Sequence, residues 1–110
     1  MIEDNMKAAA RRYVKAIKET DCYVKYAAQL QTIQRYPEIY ERVNEYREKN
    51  YQIQNLTSQE KLFDAVDELE KEYAEFRKNP MVDDFLRAEL AFCRMMQEVN
   101  IFTMQELDFE

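Results

Sequence analysis

Apolar positions recur three or four residues apart along almost the whole chain, the spacing of one face of a helix. In the first stretch Ile2, Met6, Ala9, Tyr13 and Ile17 share such a face. Lys7, Arg11, Lys15 and Lys18 lie opposite it, within a strip of roughly 80° of the helix circumference. Thr20-Asp21 interrupts the pattern with two residue types suited to an N-cap, so a second helix is expected to start there rather than the first to kink. It carries Tyr23, Tyr26, Ala27, Leu30 and Ile33.

Pro37 opens a third helix, since its missing N–H and fixed φ suit a first turn. Its stripe of Ile39, Val43, Tyr46, Ile53 and Leu56 is sparser, and the polar stretch 50–55 is a candidate bend. Thr57-Ser58-Gln59-Glu60 reads as a capping box, in which Thr57 accepts from the Glu60 N–H and the Glu60 side chain reaches back. Leu62, Phe63, Val66, Leu69, Tyr73 and Phe76 follow at helical spacing, and the helix should stop near Asn79, because a residue before proline avoids the helical region. Asn79-Pro80 supplies the N-cap and first turn of a last helix, with Asp83 and Asp84 near its positive end. Run over residues 80–107, that helix reaches roughly 42 Å. The expected fold is an all-α antiparallel bundle of four or five helices in a single domain over residues 1–110, the last two long and joined at Asn79-Pro80.

Composition narrows the chemistry. The 110 residues contain no glycine, two prolines and no histidine. Without glycine the φ > 0 positions of phosphate-binding loops and tight hairpins are hard to build. Without histidine the chain offers no Ser-His-Asp or Cys-His catalysis, and the commonest metal ligand is missing. No window approaches the roughly 20 apolar residues that span a bilayer, and the acidic residues at the N-terminus do not resemble a secretory signal. A cytoplasmic protein follows, with Cys22 and Cys93 as reduced, mostly buried thiols. The net charge is −6, which repels nucleic acid and anionic membranes overall. It is unevenly placed: residues 1–55 hold 10 Lys/Arg and 8 Asp/Glu, residues 56–110 hold 6 and 14.

The acids Asp64, Glu68, Glu72 and Glu75 line the face opposite the apolar stripe of their helix and read as a solvated face. A di-iron bundle normally needs Glu-x-x-His motifs, and the absent histidine removes nearly all support for one. No catalytic, cofactor-binding or metal-binding residue is expected. Two sets of contact candidates remain. The Lys7, Arg11, Lys15 and Lys18 strip reads first as an ordinary solvated face; as a contact it suits an acidic protein surface or, more weakly, RNA phosphates or anionic lipid. Glu89 stands among Phe85, Phe92 and Met96 where an apolar residue is expected, as a rim residue, an internal ion pair or a specificity contact at an interface. Eight tyrosines and six methionines, residue types favoured at interfaces, favour a homo-oligomer.

The last helix also carries the string Asn79-Pro80-x-Val82-x-Asp84-Phe85-Leu86-x-Ala88-Glu89-x-x-Phe92, with Met96 and Glu98-Val99 beyond. It resembles the YlbF/YmcA family of small bacterial regulatory proteins. Pro37-Glu38-Ile39, opening a helix that ends in Gln52 and Gln54, and the stretch 23–33 before it resemble that family more weakly. The resemblance implies an all-helical regulator without catalysis, acting by contact with sibling family proteins on mRNA processing by the membrane-anchored endoribonuclease RNase Y. Competence, biofilm formation and sporulation are the programmes affected. Some members hold an iron–sulfur cluster through a cysteine-bearing C-terminal tail; Cys22 and Cys93 fall short of four thiolates, so no cofactor is expected here. The alternatives from other classes are a helical protein whose self-association is its whole function, and a weak RNA binder using the basic strip. Small-molecule substrates, direct DNA binding and membrane insertion are not expected.

Overall fold

The computed structural model describes residues 1–56 and 58–108. These are all-α, with no strand among the described residues: α1 (Asp4–Lys18), α2 (Asp21–Ile33), α3 (Pro37–Leu56), α4 (Gln59–Glu72), α5 (Ala74–Arg77) and α6 (Pro80–Leu107).

Helix ends follow local chemistry. The Thr20 Oγ1 accepts a hydrogen bond from the Tyr23 N–H at 3.3 Å and donates to the Ile17 carbonyl at 2.7 Å. One side chain thus satisfies the end of α1 and the start of α2, making two helices of residues 4–33. Asn79 caps α6 through its Oδ1, which accepts from the Met81 N–H at 3.0 Å. At α4 the N-cap is Ser58, in extended backbone and without a side-chain capping bond; the proposed capping box rests on Thr57, which lies outside the described residues.

Two details differ from the expected course. α3 runs unbroken through residues 50–55. There the Asn55 side chain donates to the Tyr51 carbonyl at 2.8 Å and Gln52 to Glu48 at 3.2 Å, while Ile53 packs on a buried cluster. The polar residues thus bond along the helix instead of breaking it. Conversely, the helix expected to reach Asn79 is interrupted at Tyr73 (φ −104°, ψ 10°), so that α5 is a separate single turn. No proline or glycine marks that break. Tyr73 is 1% exposed, and its ring is edge-to-face with both Tyr46 (5.2 Å) and Phe76 (6.1 Å). Tertiary packing at a buried aromatic redirects the backbone where local propensity would have continued it.

The backbone divides into two compact units, Leu30–Leu86 and Met1–Gln29 with Arg87–Glu110. The first holds every buried hydrophobic among the described residues: Ile33, Val43, Tyr46, Leu69, Tyr73, Val82 and Phe85. Within it α3 and α4 are antiparallel. Tyr46 meets Glu70 and Tyr73, Lys49 meets Glu72, and Ile53 lies against the cluster of Tyr46, Leu69 and Tyr73, while only two residues separate the helices, the spacing of antiparallel neighbours. In the second unit α2 meets α6 through Phe92, whose ring stacks on Tyr26 at 5.3 Å and stands edge-on to Tyr23 at 5.5 Å.

Candidate functional site

The densest set of polar contacts lies between α3 and the α4–α5 break. The Tyr46 hydroxyl donates to a Glu70 carboxylate oxygen at 2.7 Å and accepts from the Arg77 guanidinium at 3.3 Å. Arg77 also pairs with the other Glu70 oxygen at 2.8 Å, which closes a triangle of three side chains. Cations cover the aromatic faces around it. The Arg42 guanidinium lies 5.3 Å from the Tyr73 ring centre and 5.0 Å from that of Phe76, and the Lys49 ammonium lies 5.3 Å from Tyr73. Lys49 is also tied to Glu72 at 2.7 Å, and that hydrogen bond raises its pKa.

Burial first, and then the hydrogen bond to Glu70, push the Tyr46 hydroxyl up to about 12. A phenol held neutral at physiological pH, with its oxygen engaged on both sides, is neither a ready nucleophile nor a base. The triangle is therefore a clasp that fixes α3 to α5 across the interruption at Tyr73. The groove beside it, about 460 Å³ in volume, is lined by Lys49, Gln52, Ile53, Ala65, Glu68, Leu69 and Glu72. Its charged rim is partly tied up in the Lys49–Glu72 pair. No group of three or more His, Cys, Asp or Glu among the described residues is placed to hold a metal ion, and no described helix is long and apolar enough to cross a membrane.

The contact candidates are distributed over both units. Lys7, Arg11, Lys15 and Lys18 are all exposed on α1 and form one outward strip. Phe85 is 0% exposed and serves the core of the Leu30–Leu86 unit, so its ring has no surface to offer a partner. Glu89, Phe92 and Met96 belong to the other unit and are half-buried, with Phe92 engaged by Tyr23 and Tyr26. The acids Asp64, Glu68, Glu72 and Glu75 are exposed, as expected of a solvated face, and two of them pair with Lys49 and Lys78. The cysteines are free. Cys22 is half-buried, but Cys93 is exposed rather than buried, because it stands one residue past Phe92, turned away from the contact with α2.

The residues that periodicity missed are Glu70 and Arg77. Their seven-residue spacing places them on one helical face, a faint signal, but Tyr46 lies 24 positions before Glu70 and no local pattern connects them. Also missed was the extent of uncovered apolar surface. Ile2, Met6, Leu90, Ile101, Phe102 and Leu107 are each 50–66% exposed.

Among known proteins, the sequence model of the family described as "Control of competence regulator ComK, YlbF/YmcA" matches residues 7–108. No curated protein and no solved structure matches the chain.

Proposed function

The chain belongs to the YlbF/YmcA family, and from that membership we propose that it is a non-enzymatic regulatory adaptor working in the cytoplasm by protein–protein contact. With sibling family proteins it modulates mRNA processing by RNase Y, and through this the competence, biofilm or sporulation programmes. It is a homo-oligomer, and the Lys7, Arg11, Lys15 and Lys18 strip receives an acidic partner surface. The observation that carries this reading is the family match over residues 7–108, nearly the whole helical chain. Two features of the molecule support it. Its most elaborate polar cluster is closed on itself, and its most concentrated positive charge faces outward on α1.

A tagged pull-down from the native cell at moderate salt, with and without nuclease, tests it. Recovery of RNase Y or sibling family proteins in both samples is expected. Charge reversal at Lys7, Arg11 and Lys15 should abolish that recovery and leave the oligomer mass unchanged. Recovery that disappears with nuclease, or weakens steeply with salt in step with bound RNA, would replace the adaptor with an RNA binder. Recovery of the chain alone would leave self-association as its whole function.

A further inference from the structure

From Asn100 to Leu107, about two turns, every residue of α6 is exposed. The segment is nonetheless rich in large apolar side chains. Ile101, Phe102, Met104 and Leu107 are 46–66% exposed and lie on more than one side of the helix. The Thr103 hydroxyl donates to the Val99 carbonyl at 2.9 Å, a bond within the helix itself. The hollow of about 420 Å³ on this segment is lined only by Asn100, Ile101, Met104, Gln105 and Asp108. A helix end meant for water is polar, whereas one apolar on several sides is a helix to be enclosed. Its register is that of a helix held in a groove. Ile101, Met104 and Leu107 stand three residues apart on one face, and Phe102 lies on another, four residues from both Glu98 and Glu106.

We infer that these two turns of α6 are a ligand helix, received by an apolar groove rimmed with Lys or Arg on a different protein. Charge makes the selection. From Met95 onward the sequence holds Glu98, Glu106, Asp108 and Glu110 and no Lys or Arg. A groove that encloses Phe102 brings its rim against Glu98 and Glu106, and only cations there compensate the water those carboxylates lose. The same acids repel nucleic acid and anionic lipid. A second copy of this chain offers no such groove. Its Lys7, Arg11, Lys15 and Lys18 strip lies opposite the apolar stripe of α1, so cations and apolar surface are not presented on one face. Its α3–α4 groove carries Glu68 and Glu72 on the rim, and Lys49 there is already tied to Glu72. The inference deepens the adaptor reading and rests on it, since it names the segment one protein partner holds and the chemistry of that partner's surface.

Photo-cross-linking in the native cell tests this, with p-benzoylphenylalanine placed in the full chain at position 102 and, as a control, at exposed position 63. The probe at 102 should join the chain to another protein, and the cross-linked peptide locates the groove. Titration calorimetry with that protein, purified, supplies the second reading. Phe102→Ala should raise the dissociation constant at least ~30-fold, and Glu98→Lys with Glu106→Lys at least ~10-fold, while Phe63→Ala leaves it unchanged. All four positions are exposed, so the thermal unfolding of each variant should match that of the unaltered chain and separate lost binding from lost folding. Cross-links from 102 to a second copy alone or to nothing, a dissociation constant unmoved by Phe102→Ala, or charge-reversed binding as tight as before would overturn the inference. Its failure is separable from that of the adaptor reading. A partner that passes these tests but is neither RNase Y nor a sibling family protein sinks the adaptor reading alone, whereas recovery of RNase Y undiminished by Phe102→Ala, with no cross-link from 102, sinks the inference alone.

Discussion

Replacing Tyr46 with phenylalanine removes one oxygen atom from the clasp and leaves almost everything else in place. The ring pair with Tyr73 survives, and Glu70 keeps its bond to Arg77, so no buried charge is orphaned. What disappears is the hydroxyl's bond to Glu70 at 2.7 Å and its acceptance from Arg77 at 3.3 Å. Near neutral pH that loss should cost about 1 kcal/mol, less than is usual for a bond to a charged group because the Glu70 and Arg77 side chains are 43% and 35% exposed and partly rehydrate.

The same hydroxyl makes the cost depend on pH. In the folded chain it holds its proton up to about 12, whereas the unfolded chain releases it near 10. Between these values the unfolded state binds fewer protons, so stability falls as pH rises; below about 10 the contribution is fully present. Two pH units correspond to roughly 2.7 kcal/mol at most, reduced by solvent screening at this half-open triangle to about 1–1.5 kcal/mol. The phenylalanine variant lacks this loss. Urea denaturation of both proteins at about pH 8 and about pH 11.5 should therefore show a stability difference near 1 kcal/mol that closes toward zero in alkali. Contributions from every other group are common to both proteins and cancel in the difference. A difference that stays constant, or an ultraviolet titration placing Tyr46 with the ordinary phenols near 10, would refute the clasp as described.

Three further changes probe other parts of the molecule. Asn79→Ala should lower stability by about 1 kcal/mol in denaturant unfolding, because the Met81 N–H loses its cap. Phe85→Ala should cost about 3–5 kcal/mol, while Phe63→Ala at 81% exposure stays within about 0.5 kcal/mol, the two together checking where the core lies. Arg42→Ala, which uncovers the faces of Tyr73 and Phe76, should cost about 1 kcal/mol in the same assay and change little between low and moderate salt.

The helices were legible wherever their determinants are local. Thr20 and Asn79 act as caps because a short polar side chain meets backbone N–H groups two or three residues on, a relation written in consecutive positions. The family string from Asn79 to Val99 was legible for the same reason. The interruption at Tyr73 was not, since it follows from the Tyr46 ring and from Arg42 and Lys49, all on α3 and more than 20 positions away. Nor was the Tyr46–Glu70–Arg77 triangle, whose members are set side by side only when α3 and α4 pair antiparallel. Of the interface candidates, Phe85 shows why an apolar stripe does not distinguish a core residue from a contact residue: Phe85 and Phe92 share a helical face, yet one is sealed and the other half open.

That ambiguity has a physical root which also explains the uneven burial. Helical periodicity states that a face must leave water, because a stripe of Ile2, Met6, Tyr13 and Ile17 gains roughly 25 cal/mol for each Å² covered. It is silent on whether the cover comes from the same chain. In Leu30–Leu86 the cover is intramolecular, since α3 and α4 are joined by a short connection and bring Val43, Tyr46, Leu69 and Tyr73 into one core. In α1 the same kind of stripe stays half open, although its polar face is as cleanly separated as any in the chain. The pattern therefore marks which face is apolar, and only the neighbours that the fold supplies decide whether it closes.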